Sequence, residues 1–320
     1  MPTEVRLISG RHCNKIPAIT LVQFVPASSQ ASRGEISLRQ WYFGDFRHYV
    51  RWRSICLDNN LQRGLTMEYV SPSEVINGSG LRLVLVQYMP SPWGQATKAM
   101  MEYKGLSFMA APWEGGGANE ELVAWAGNNG APIVAWNDEP PITRWDDILL
   151  LLERLAPEKP LLPEGREERV QVLGLSHEIC GQLGLAWNRR LSMFAPMVAS
   201  GQAPEGFVLM AKRYGSTEDD VARADERQIA SLNMLAARLK AQKSAGSDYF
   251  VGKAVSAADF YWAAFSNLFA LLPPDQCPMP EQARPMFEAL SDNVRSAVDP
   301  ILIEHRDRIM AAHFKLPMEM

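Results

Sequence analysis

Residues 249–260 read YFVGKAVSAADF, and this stretch decides the fold. Ser256 followed three residues later by Asp259 is a helix start: the serine caps the helix, and a carboxylate at the third helical position reaches back to the serine N–H. Val255 and Phe260 stand at the staple positions on either side. Helical spacing surrounds this start. Segments 167–185, 217–242, 257–271, 280–290 and 292–312 all carry apolar residues at intervals of three and four. Upstream, Pro157, Pro160 and Pro163 break the chain as a linker does. Before the linker the pattern changes. Residues 81–87 (LRLVLVQ), 106–111 and 132–136 read as buried strands. Residues 91–103 read as a helix carrying Ala96, Ala99, Met100 and Tyr103. Two further helices are expected at 119–126, capped by Asn119, and at 145–155, capped by Thr143. Asn137-Asp138 is a turn signal, and a short strand to Ile142 pairs back as a hairpin. The expected architecture is an α/β domain over 79–157 followed by an all-helical domain over 164–320.

The composition agrees with that size. The 320 residues suit about two domains at roughly 100–200 residues each. Apolar residues at 47% and charged residues at 21% exclude global disorder and a rod. The longest unbroken apolar run is 260–265, far short of the roughly 18 residues that span a bilayer, so no membrane partner is expected. Cys13, Cys56, Cys180 and Cys277 lie far apart with no CxxC spacing, which fits a reducing compartment and argues against a cysteine zinc site. His177-Glu178 lacks a second histidine at metal spacing, so no metal is expected. Gly115-Gly116-Gly117 is a turn and not a phosphate loop, since no Lys-Ser/Thr follows. A net charge of −4 carries no nucleic-acid footprint.

The charge is unevenly spread. Residues 1–66 hold nine basic and four acidic residues, a net of +5, whereas the remainder holds 23 and 32, a net of −9. A strand is expected at 19–25 and a helix at 38–57. Residues 1–78 form an N-terminal extension. Its first 66 residues admit three readings: an appended module, a targeting segment, or sequence upstream of a natural start at Met67. The third is preferred, because the chain becomes orderly after that methionine.

Three local patterns point to one family. Tyr88-Met89-Pro90-Ser91-Pro92-Trp93 ends the first strand, with Lys104-Gly105-Leu106 following; Gly130-Ala131-Pro132-Ile133-Val134 precedes the third; and the Ser256–Asp259 box starts a core helix. With these the sequence resembles the glutathione transferase superfamily from residue 79 to about 315. The resemblance implies a thioredoxin-like domain, a helical domain, a ligand cleft between them, and a cytoplasmic homodimer. It implies that Ser91 is the catalytic hydroxyl, donating to the thiolate of glutathione at a helix N-terminus where the dipole favours an anion. The alternative for Ser91 is a helix cap serving stability alone. Pro132 is expected to be cis, with the Ala131 backbone meeting the cysteinyl part of glutathione.

One pattern departs from the family. The usual Glu/Gln-Ser pair that holds the γ-glutamyl group falls on Arg144 and Trp145. Arginine reverses a charge and suits a carboxylate instead of an amine, and tryptophan donates only from its indole nitrogen. Asp146 or Asp147 stands in reserve as a replacement acid. The resemblance thus sets Ala131, Pro132, Arg144, Trp145 and Trp93 around glutathione as co-substrate. Tyr88, Trp187 and Arg190 stand on the side of a small-molecule, apolar electrophile. Arg189 and Arg190 suit an acidic or aromatic substrate if they are not simply solvent-exposed, and Trp187 is otherwise a core residue. Cys180 is read as a small buried hydrophobe, and Met310, Met318 and Met320 as helix packing and a frayed tail. Three functions are weighed: a thiol-conjugating transferase, a non-catalytic binding or scaffold protein on the same fold, and a thiol-dependent reductase, which would want a cysteine where Ser91 stands.

Overall fold

The computed structural model describes residues 67–320 apart from 202, 204 and 216, with 205 and 206 described in backbone only. The strand at 19–25, the helix at 38–57 and the three readings of residues 1–66 lie outside the described residues.

The sheet has three strands in the order β2-β1-β3. The central strand β1 (Leu81–Val86) buries both faces, with Leu83, Val84 and Leu85 sealed from solvent. That is why it reads as an almost continuous apolar run. β2 (Met109–Trp113) runs parallel to it, with Val84 opposite Ala111, and β3 (Ile133–Trp136) runs antiparallel, with Leu83 opposite Val134. The expected hairpin is reduced to one bridge, Val134 to Ile142. β2 starts three residues later than expected. Gly105, in the left-handed region at φ 72°, and Leu106, whose N–H donates to Met101 O, close the preceding helix. Pro112 is tolerated inside β2 because that strand lies at the sheet edge.

Helices flank this sheet. α1 (Pro72–Asn77) was assigned by sequence to the extension. Ser71 and Glu74 close a capping box at its start, and Val75 joins Val84, Ala111, Trp113, Leu122 and Ile133 in one buried cluster. α2 (Pro92–Tyr103) buries Ala96, Ala99 and Met100, while α4 (Trp145–Leu155) packs against it. Between them in sequence, α3 (Glu120–Ala126) starts at Asn119 as expected, yet the Asn119 amide does not cap it. The amide accepts from Glu114 N–H and donates to Glu114 O and Gly117 O, closing the glycine turn. The N-cap of α4 is Arg144, not Thr143, and it makes no side-chain cap bond. Lys104 ties the end of α2 to the proline linker: its Nζ donates to Ala156 O and Lys159 O and pairs with Glu153 at 2.7 Å.

The rest is helical: α5 (Arg166–Cys180), α6 (Leu185–Ala199), α7 (Glu205–Arg213), α8 (Glu218–Ser244), α9 (Ala257–Phe265), α10 (Arg284–Glu288), α11 (Asp292–Ser296) and α12 (Pro300–His313). The helix expected over 167–185 stops at Cys180. A Cβ on Gly184 would fall 2.6 Å from Glu178 O, so the chain turns there and α6 begins. The helix expected over 292–312 splits because Pro300 starts a new helix under the Asp299 cap. Among the described residues no helix is long and apolar enough to cross a membrane.

α9 is the structural centre. Every residue from Ala257 to Phe265 is buried, and it packs against α2, α5 and α12. The expected box at its start is present. Asp259 Oδ2 accepts from both the N–H and the hydroxyl of Ser256 at 2.8 Å. Asp259 Oδ1 accepts from Phe250 N–H at 3.0 Å and lies 3.0 Å from His305 Nε2 on α12. The C-terminal tail does not fray. Met318 N–H donates to Gln276 O, Asn267 contacts the Met318 sulfur, and Met318 and Met320 are buried.

Candidate functional site

The turn from β1 into α2 carries the first candidates. Tyr88 holds φ 60°, in the left-handed region. It redirects the chain so that Ser91 ends up as the N-cap of α2, with Pro92 at the first helical position. The Ser91 backbone does its part, since Gln95 N–H donates to Ser91 O at 2.9 Å. The Ser91 hydroxyl makes no cap hydrogen bond. Its presence is therefore not explained by helix capping. Elsewhere the same chain caps with side-chain oxygens, at Ser71, Thr217 and Ser291.

Trp93, the second residue of α2, faces the helical side. Its indole N–H donates to Cys180 O at 3.0 Å, and its ring meets Phe265 edge-on with centroids 4.7 Å apart. The Ala131–Pro132 peptide is cis, as expected, immediately before β3.

Arg144 and Trp145 occupy the start of α4. Arg144 is mostly exposed and is already engaged by acids of its own helix, Asp146 at 2.5 Å and Asp147 at 3.3 Å. The bonded Asp146 carboxylate raises the Arg144 pKa above its ordinary value. Trp145 packs edge-on against Tyr261 at 5.5 Å and lies 6.2 Å from the His177 ring, and Tyr261 Oη donates to Trp145 O. His177 is thus a packing partner. Among the described residues no group of three His, Cys, Asp or Glu is placed to hold a metal ion.

Two of the substrate-side candidates, Trp187 and Arg190, lie on α6, while Tyr88 lies on the β1–α2 turn. Trp187 donates from its indole to Tyr214 O at 2.7 Å and packs edge-on against that ring at 4.6 Å. Arg189 and Arg190 are neighbours with different fates. Arg189 is buried and donates to the carbonyls of Leu268, Met286 and Phe287. The reading of Arg189 as a ligand or solvent residue is therefore corrected: it is an internal tie between α6 and the 268–287 segment. Arg190 lies among rings, its guanidinium carbon 6.0 Å from Trp93, 5.8 Å from Phe194 and 5.8 Å from Phe287. Burial lowers its pKa, and the nearby Tyr214 phenol opposes that shift. Trp93 therefore joins the two sides, two residues from Ser91 on one and stacked under Arg190 on the other.

No protein-family model matches this chain, and no curated protein matches it in sequence. Solved structures do. A glutathione S-transferase from Methylobacillus flagellatus KT with GSH bound superposes with a TM-score of 0.51 at 13% identity, over 75% of this chain and 100% of that one. The fold is that of the glutathione S-transferases. Other similar structures are the Methylobacterium radiotolerans JCM 2831 enzyme in complex with glutathione sulfonate and rice GST1 (OsGSTU1) in complex with glutathione. Each is 18% identical with a TM-score of 0.48; they cover 73% and 74% of this chain and each is matched over 91% of its own length.

On this glutathione S-transferase fold, sequence reasoning missed several residues around the candidates. Tyr214 contacts Trp93, Trp187 and Phe194, and it follows α7, a helix without a marked sequence signal. Phe265 and Phe287 complete the aromatic floor. The Tyr69 phenol oxygen is buried without a hydrogen-bond partner, and burial together with Tyr88 and Glu319 raises its pKa strongly. Cys180 is buried and bonded to Ser176 O, and burial drives its thiol pKa well up. Burial thus disfavours its thiolate, the nucleophilic form. A cavity of about 250 Å³ lies between α8 and α12, lined by Lys243, Asp248 and His305 among others. It touches none of the candidate site residues.

Proposed function

We propose that the protein is a glutathione transferase-type enzyme, adding a thiol to an apolar small-molecule electrophile. The observation that carries this reading is the Ser91 hydroxyl, which stands at the N-terminus of α2 and is spent on no helix cap. A thiol titrates near ~8.5 when unperturbed. A donated hydrogen bond and the positive end of a helix both favour its anion, so a thiol held there is more nucleophilic at neutral pH. In this reading Ser91 stabilises the thiolate and the Ala131 backbone before Pro132 positions the thiol-bearing residue. Trp93 and Tyr88 shape the space beside the sulfur. The thiolate attacks the electrophile, a carbon–sulfur bond forms, and the leaving group departs or a proton adds to the adjacent atom. Glutathione is the proposed co-substrate. Its γ-glutamyl end would meet Arg144, Asp146 and Asp147. The homodimer, the cytoplasmic location and the division into 79–157 and 164–320 belong to this same proposal.

A second reading is favoured by one observation. Arg144 is paired with Asp146 and Asp147, and Trp145 is packed on Tyr261, so the start of α4 is filled by its own side chains. That suits a protein which keeps the fold for binding or assembly. Titration calorimetry of reduced glutathione into the full-length chain separates the two. Saturable heat at up to millimolar ligand is the expected result. No heat from folded protein would leave the scaffold reading in place.

A further inference from the structure

Among the described residues, the other buried arginines are held by backbone carbonyls. Arg82 donates from its two terminal nitrogens to the carbonyls of Val75, Ile76 and Asn137, although its Nε has no acceptor. Arg189 donates to three carbonyls, and Arg306 donates to Ala270 O and pairs with Asp307. This is the general rule for buried polar groups, because an unpaired donor forfeits its hydration with no return. Arg190 departs from it further than Arg82 does. Its Nε, like that of Arg82, is buried without an acceptor. No ion pair or hydrogen bond is made by its guanidinium among the described residues; only the three rings of Trp93, Phe194 and Phe287 face it. The rings answer the charge through their π faces but accept none of the in-plane N–H groups. Among the described residues no carboxylate pairs with it, and the Tyr214 phenol is the titratable group beside it. The side chain is only partly buried, and it remains within reach of a ligand.

We infer that Arg190 is an anion-recognition residue for the electrophile, which is a planar aryl compound bearing a carboxylate. This rests on the conjugation reading, whose reacting thiol lies on the other side of Trp93. The planar guanidinium fork matches a carboxylate with two parallel hydrogen bonds. The aromatic surroundings suit the ring that carries the carboxylate, and they strengthen the pairing by excluding water. Trp93 lies within cation–π distance of Arg190 and so reports on the site.

The test uses two dinitrobenzenes that differ in one group, 3,5-dinitrobenzoate and 1,3-dinitrobenzene. Their binding to the full-length protein is read by tryptophan fluorescence quenching. Wild-type protein is expected to bind the carboxylate roughly tenfold or more tightly than the neutral ring, the usual worth of a charge-assisted pair. R190M should erase that preference while leaving the neutral ring within about threefold. R190K, which keeps the charge but loses the fork, should retain part of it. The wild-type comparison needs no variant, so a misfolded R190M does not shelter the inference. Equal wild-type affinity for both ligands overturns it. So does an unchanged preference in R190M, or weakening of glutathione in R190M with the aryl carboxylate intact. None of these readouts depends on turnover. A failure of thiol conjugation and a failure of Arg190 recognition are therefore seen separately.

Discussion

Ser91→Ala is expected to lower the rate of thiol conjugation by roughly 10²–10³-fold, the usual cost of removing one donor aimed at a reacting anion. It should barely change stability. The Ser91 hydroxyl makes no cap bond, so its removal strands no backbone N–H, and the change should stay within about 0.5 kcal/mol. That combination is diagnostic. A capping serine would lose stability and keep its rate. A scaffold protein would lose neither. Conjugation kinetics at saturating thiol, beside a melting curve, read both quantities from the same preparation. An unchanged melt with an unchanged rate would remove Ser91 from the chemistry.

Asp259→Ala is expected to destabilise the fold by about 3–5 kcal/mol, the cost of leaving several buried donors without their acceptor. The carboxylate is fully buried and accepts three hydrogen bonds, from the Ser256 N–H, the Ser256 hydroxyl and the Phe250 N–H, and it lies 3.0 Å from His305 Nε2. Alanine leaves those three donors without this acceptor in a site closed to water. It also releases the start of α9, the helix on which α2, α5 and α12 pack. For a domain of this size the melting temperature should fall by roughly 10 °C or more. A melt within about 2 °C of wild type would mean that the box is ornamental to stability. The two positions are complementary: both stand at the start of a helix packed in the core, but one is spent on structure and the other is left open.

What was legible in the sequence was local. The Ser256–Asp259 box depends on residues three apart, and it is present as read. The bounds of α4 follow from an apolar stripe with an acidic first turn, and they match. β1 is legible because a central strand needs apolar residues on both faces. What was not legible depended on distant partners. Asn119 has a capping residue's chemistry, but the carbonyls of Glu114 and Gly117 claim its amide. Met318 and Met320 look like a loose tail until Gln276 and Asn267 are brought beside them. α1 is a single short helix, too short to show a period, and Val75 is its one fully buried residue. Arg189 and Arg190 are adjacent in sequence, yet successive helical residues point about 100° apart. One therefore meets carbonyls of the 268–287 segment and the other meets rings. Sequence marked Ser91, Trp93 and Arg190 individually. It gave no sign that Trp93 would stand between the other two, because that depends on how α2 and α6 come together.

The central claim is that Ser91 activates a bound thiol, and the ionisation of that thiol tests it most directly. Glutathione bound to the wild-type protein is titrated with pH, and thiolate is followed by its ultraviolet absorbance. The account predicts that the bound thiol ionises below the ordinary ~8.5, and that Ser91→Ala moves it back toward that value. A bound thiol that titrates normally in wild-type protein, or one shifted equally in Ser91→Ala, would contradict it.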